Sequence, residues 1–221
     1  MDHVDGTNAA SPVLLSKKAG RKPAFTEQDV IDAALGEGLD RFTLAAVGRR
    51  LGVATTALYR LFASREEIVV ACLDHIAAGI RVPDDDAADW RTMLQLWADE
   101  CWRVCDDFPG LSRVVYSYAS AFTRIEGVIA AYARALAAHD KTDRQALFAL
   151  DFIGDTVFAC HLGVESLRNV DDSGTTGFDR VKEAVGRESI IEPRQSWRER
   201  GVVDTKIEFI LMGLEHHWPE I

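Results

Sequence analysis

The sequence predicts an all-α fold, and three observations carry that expectation. Apolar residues recur at helical spacing from Thr26 almost to the end of the chain, whereas strand-like alternation is confined to Val114-Val115-Tyr116-Ser117-Tyr118, too little for a sheet. Three helix starts in the first third share one grammar: a Thr or Ser placed as N-cap, preceded by a Phe that can staple (before Thr26 and Thr43) or followed three residues later by an acid (after Thr26 and Ser64). Glycines (Gly38, Gly52) then fall where those helices should stop.

The elements follow in order. Residues 1–24 are polar, hold Gly, Pro, Ser and Asn, and show no helical period, so they read as a flexible arm ending in Lys17, Lys18, Arg21 and Lys22. Thr26 opens a helix over 26–37, with Asp29 at the third helical position and Phe25 placed to staple onto Val30. Thr43 opens a second over 43–51, with Phe42 facing Val47. A third spans 54–62, and Ser64 with Glu67 opens a fourth over 64–79. Helices this short must pack on one another to be stable. Val82-Pro83-Asp84-Asp85-Asp86 breaks the pattern and marks a boundary. Beyond it the spacing predicts helices over 90–108, two across 111–138, one over 142–168, a short one near 178–187 and a last one over 203–217. The polar stretch 171–177 separates the fourth of these from the fifth. The organisation is thus an arm (1–24), a small helical unit (25–80) and a larger helical body (88–221).

Net charge is −10, which on its face argues against a polyanionic partner. The charge is unevenly placed. Residues 17–65 carry nine Lys and Arg against five Asp and Glu, a balance of +4, while residues 66–221 carry −12. An acidic body would be repelled by phosphates, so only the front is suited to meet them. Val13-Leu14-Leu15 is too short for a signal-peptide core, and no run approaches the roughly 20 apolar residues of a membrane helix. The expected address is the cytoplasm. The four cysteines (72, 101, 105, 160) have no zinc-site spacing and read as buried small hydrophobes, so no metal or cofactor is expected.

The informative segment runs from Thr43 to Phe62. On the 43–51 helix, Leu44, Val47, Gly48 and Leu51 share one arc; Gly48 permits close approach of the next helix, and Gly52 permits a tight turn. On the 54–62 helix, Ala54, Leu58 and Phe62 are expected inward, and the outer face centres on Thr56 and Arg60 with Tyr59 beside them. A short helix with a small, polar, partly cationic outer face suits a major groove. These features predict a helix-turn-helix that binds double-stranded DNA.

Residues 26–75 resemble the DNA-binding domain of the TetR family of bacterial regulators. The likeness is carried by Thr43-Leu44, Val47, Leu51-Gly52-Val53, Ala57-Leu58-Tyr59, Phe62 and Ser64-Arg65-Glu66-Glu67-Ile68. It implies that Tyr59 and Arg65 bond phosphates, that the first turn after Thr43 points backbone N–H groups at a phosphate, and that Thr55, Thr56 and Arg60 read bases. It further implies that Lys17, Lys18, Arg21 and Lys22 form an arm along the backbone or minor groove. Two positions depart from the family pattern. Leu61 stands where a phosphate-bonding His is frequent, and its angle turns it inward. Ala54 replaces a frequent capping Ser, which leaves Thr55 as the better cap.

In the body, the 142–168 helix is apolar nearly all round and the last helix is similarly over-supplied. Both are therefore expected in a four-helix interface of a homodimer that addresses a palindromic operator. Aromatic residues cluster in the body, and Trp97, Tyr116, Phe122, Phe152 and His161 are the candidates for contact with a small apolar or amphipathic effector, although most helical aromatics simply fill a core. The expected function is a repressor released by that effector. Two alternatives remain open: a DNA binder without an effector, and a small all-helical enzyme. The second finds no P-loop, G-x-G-x-x-G, H-E-x-x-H or G-x-S-x-G in the sequence.

Overall fold

The computed structural model describes residues 25–84, 89–186 and 188–221. Among these the chain is helical throughout, with one isolated bridge between Val170 and Thr176 and no strand. The helices are α1 (Glu27–Glu37), α2 (Leu44–Leu51), α3 (Thr55–Leu58), α4 (Arg65–Ala78), α5 (Trp90–Asp107), α6 (Leu111–Ser117), α7 (Glu126–Ala137), α8 (Asp143–Arg168), α9 (Gly177–Ala184) and α10 (Gly201–His216). Short 3-10 turns at Ala121–Ile125 and Gln195–Arg198 precede α7 and α10.

Local chemistry starts the front helices much as the caps suggested. Thr26 and Asp29 form a reciprocal box on α1, and Thr43 Oγ1 accepts from Ala46 N at 3.1 Å on α2. The box on α4 is rearranged: Ser64 Oγ accepts from Glu67 N, but the Glu67 carboxylate accepts from Ala63 N at 2.6 Å and not from Ser64 N. The third helix is shorter than expected. Its α turn ends at Leu58 and continues as a tighter turn, with Leu61 N donating to Leu58 O.

The front packs Val30, Phe42, Val47, Leu58, Ile68 and Leu73 into one core. That core does not end at the front: Val104, Cys105, Leu111 and Val114 of the body belong to it. The α1–α2 loop docks on the α5–α6 corner, where Leu39 N donates to Pro109 O at 2.9 Å. Gly110 makes this approach feasible, because its φ is 90° and a Cβ there would lie 2.2 Å from Asp40 Oδ1. Arg113 then bridges Asp40 of the loop (3.0 Å) and Glu165 of α8 (3.3 Å).

The second core is built around α8, which packs against α5, α7 and α10. By length and composition α8 would pass for a membrane span, yet here it is the central helix of the body. A buried carboxylate ties the two parts at the end of α4. Glu100 on α5 is wholly buried and accepts from Arg81 N (2.9 Å), Arg81 Nε (2.7 Å) and Arg103 Nη2 (2.7 Å). Burial alone would push its pKa up; the Arg103 and Arg81 bonds outweigh that and hold it at about 2. Three of the four cysteines are buried as expected, and burial pushes the Cys72 and Cys105 thiols up to about 12.

Candidate functional site

The α2–turn–α3 segment is held by close backbone contact. A Cβ at Gly48 would lie 2.9 Å from Val53 O, a backbone atom that cannot move cheaply, and Gly52 caps α2 in the left-handed region at φ 68°. Leu58 and Phe62 are buried beneath α3, and Leu61 is half-buried against the same core. Thr56, Tyr59 and Arg60 are exposed together on the outer side, with Tyr59 at 54%. This places a hydroxyl, a phenol and a guanidinium on one short convex face.

Three details differ from expectation. Ala54 is exposed, not inward, because the chain turns at this residue before the helix begins. Ala54 is also the N-cap residue and gives no side-chain bond, so Thr55 is the first helical residue and its hydroxyl is not engaged as a cap. Arg65 is engaged within the chain. Its guanidinium donates to Phe42 O (3.1 Å), Asp40 O (3.2 Å) and Leu39 O (3.4 Å), and sits 4.3 Å over the Phe42 ring. Those carbonyls close the loop before α2, so Arg65 positions that helix. Thr43 is exposed at the start of α2, with its side chain engaged in the cap. Lys17, Lys18, Arg21 and Lys22 lie outside the described residues.

A cavity of about 170 Å3 lies between the front and the body. Leu73 and Ile76 of α4, Trp97 of α5, Val115 of α6 and Leu150 and Phe158 of α8 form its apolar wall. Trp97 and Phe122 are on the lining, although the Trp97 indole N–H is already engaged by Leu150 O at 2.8 Å and Phe122 is 70% exposed. Tyr116, Phe152 and His161 are not on it. Tyr116 lies at the surface and donates to Asp155 O, and Phe152 faces outward against Phe148. His161 is buried in a separate polar cluster, its Nδ1 3.0 Å from Ser112 Oγ and its Nε2 3.1 Å from Asp106 Oδ1. A carboxylate only accepts, so in the neutral ring Nε2 carries the proton and Nδ1 accepts from the Ser112 hydroxyl. Trp102 stacks edge-on against the ring and also bonds Asp106. The trio has the composition of a nucleophile, base and acid, but Ser112 is 1% exposed, leaving a substrate carbonyl no approach.

Sequence reasoning missed the contribution of α4 to this cavity, and missed its charged lining residues: Asp151 and Asp155 of α8, and Arg124, which is paired with Asp74 of α4. Two carboxylates four residues apart on an otherwise apolar helix were the available signal.

The fold and this face define a helix-turn-helix protein with a larger helical body. Residues 33–72 match the family model for bacterial regulatory proteins of the TetR family. A curated HTH-type transcriptional regulator of Saccharopolyspora erythraea is 24% identical over 127 residues, 54% of this chain; the match also spans only 54% of that relative's length. Solved structures share the fold. The Streptomyces coelicolor TetR family protein ActR, in complex with (S)-DNPA, aligns with a TM-score of 0.62 at 17% identity, covering 88% of this chain and 99% of its own. A TetR variant from Acinetobacter baumannii in complex with minocycline aligns at 0.58 and 17% identity, covering 89% and 99%. The chain thus carries a TetR-like helix-turn-helix near its N-terminus on a helical fold that it shares with TetR-family structures.

Proposed function

We propose that this chain is a cytoplasmic DNA-binding regulator, acting as a homodimer on a palindromic operator and released from it by a small molecule. The observation that carries the DNA reading is the exposed Thr56–Tyr59–Arg60 face on a helix turned outward by Gly48 and Gly52. Arg60 and Thr56, with Thr55, reach base edges; Tyr59 and the N–H groups at the start of α2 meet phosphates. Residues 25–80 form the docking unit and residues 88–221 the body, and the basic arm adds backbone or minor-groove contacts.

Support for the dimer comes from apolar surface that one chain leaves uncovered. Phe209 is 77% exposed and Met212 47% on α10, and Phe152 is 48% exposed on α8 beside the small exposed residues Ala159 and Gly163. A two-fold pairing of these faces brings two copies of α3 to successive major grooves.

The cavity favours an effector over a DNA binder that lacks one. Its walls include α4, which carries the helix-turn-helix at its other end, and Leu111 and Val115 of α6, the helix whose Gly110–Arg113 end grips the Asp40 loop. A molecule that fits the cavity better in one arrangement of α4 and α6 shifts the population of recognition-helix spacings by its differential affinity. Selection of bound genomic fragments tests the central claim, comparing wild type with Tyr59→Phe and Arg60→Ala. Enrichment of a palindromic site by wild type is expected; enrichment of none at physiological salt would falsify it.

A further inference from the structure

The apolar cavity is not electrically neutral. Asp151 and Asp155 sit one helical turn apart on α8, and both line it while remaining exposed to solvent. The cation on the lining, Arg124, is already paired with Asp74 of α4 at 2.8 Å. Among the described residues no cation pairs with either aspartate, and the Asp155 carboxyl is raised from the ordinary range by burial first and by Asp151 second. Every other lining side chain is apolar or has its polar atom engaged, as the Trp97 indole N–H has. The opening thus joins a hydrocarbon wall to two exposed carboxylates that repel one another and, among the described residues, have no ion-pair partner.

Resting on the effector reading above, we propose that the cavity selects an organic cation: a compact apolar or aromatic body bearing a protonated amine that lies against Asp151 and Asp155. The body displaces poorly held water from the apolar wall, and the ammonium relieves the like-charge contact. An apolar cavity of about 150 Å3 admits benzene, so a volume of about 170 Å3 suits one ring with a short amine tail. An anion of the same shape meets two negative charges, and a neutral alcohol of that shape leaves them unbalanced.

Three probes of matched size separate these cases by calorimetry on the full chain: 2-phenylethylammonium, 2-phenylethanol and phenylacetate. The ammonium is expected to bind about tenfold more tightly than the alcohol, as one charge-assisted bond supplies, and phenylacetate more weakly than either. In the double variant Asp151→Asn with Asp155→Asn the preference for the cation disappears while 2-phenylethanol binds as before, which also shows that the cavity is intact. The chain is acidic overall, so this variant separates the cavity from loose attraction to the surface. Equal affinity for ammonium and alcohol in wild type overturns the charge selection and leaves the effector reading standing. A cation preference that survives the double variant overturns the assignment to these two residues. Binding of none of the three probes overturns the inference together with the effector reading. If the double variant loses the alcohol as well, the wild-type ranking of the three probes decides.

Discussion

The front and the body leave aromatic residues on the surface for opposite reasons. On α3 and the turn that continues it, Tyr59 stands out among a threonine and an arginine, on a segment whose apolar side is already buried by Leu58 and Phe62. On α10, Phe209 stands out beside Met212 although the same helix already buries Ile207, Ile210, Leu211 and Leu214. The first surface is polar, cationic and narrow, and suits a charged groove; the second is apolar surplus, and suits another apolar surface. The two regions also differ in how they are held. The helix-turn-helix depends on backbone contact at Gly48 and on caps, whereas the body depends on volume packed around α8.

That contrast breaks most visibly at Gly48. Valine there must displace the Val53 carbonyl, so Gly48→Val is expected to abolish DNA binding in a mobility-shift assay while the helical content of the body, read by circular dichroism, persists. The largest effect in the body is on association. If the proposed dimer forms through α10, Phe209→Glu is expected to yield a folded monomer by sedimentation equilibrium, and the operator affinity falls with it; a dimer of undiminished stability would show that α10 is not the interface.

An intermediate effect is expected where the two regions join. Glu100→Gln leaves Arg81 and Arg103 without their shared buried carboxylate and should cost about 2–4 kcal/mol in denaturant unfolding. The pH dependence has a definite sign. Glu100 is held down to about 2, below its ordinary value of 4.5, so its contribution is complete above 4.5 and is lost as pH falls toward 2. Wild type should therefore lose more stability than the Gln variant across that window.

The smallest effects sharpen the DNA face. Arg60→Ala is expected to cost about 1–3 kcal/mol and to relax the preference at one operator position; equal weakening on every sequence would reassign Arg60 to a phosphate. Tyr59→Phe should cost about 1 kcal/mol, the usual net worth of one hydrogen bond, with sequence preference unchanged.

Much of the front was legible because its signals are local. Thr26, Thr43 and Ser64 cap the residues that follow them, and Leu61 packs against the core as its position three residues after Leu58 suggested, although a tighter turn carries it there. The bonds that Arg65 makes within the chain were not legible, because only the folded loop brings three carbonyls within its reach. Ala54 likewise looked inward by period, but the helix starts one residue later. The cavity was the hardest feature. Trp97 and Phe122 line it, while His161 of the same aromatic set is closed in by Ser112 and Asp106, which lie 49 and 55 residues away in sequence.

By itself, then, the sequence determined the helical class, the starts of the front helices, the outward set Thr56, Tyr59 and Arg60, and the division of charge between front and body. Those are properties of neighbours within a turn or two, or simple sums along the chain. Tertiary structure alone decided that α4 walls a cavity at one end and carries the helix-turn-helix at the other. It also decided that Glu100 ties the two parts, and that Asp151 and Asp155 share a pocket whose lining cation, Arg124, is paired with Asp74. Such facts depend on which helices meet, and helical period specifies a buried face without specifying its neighbour.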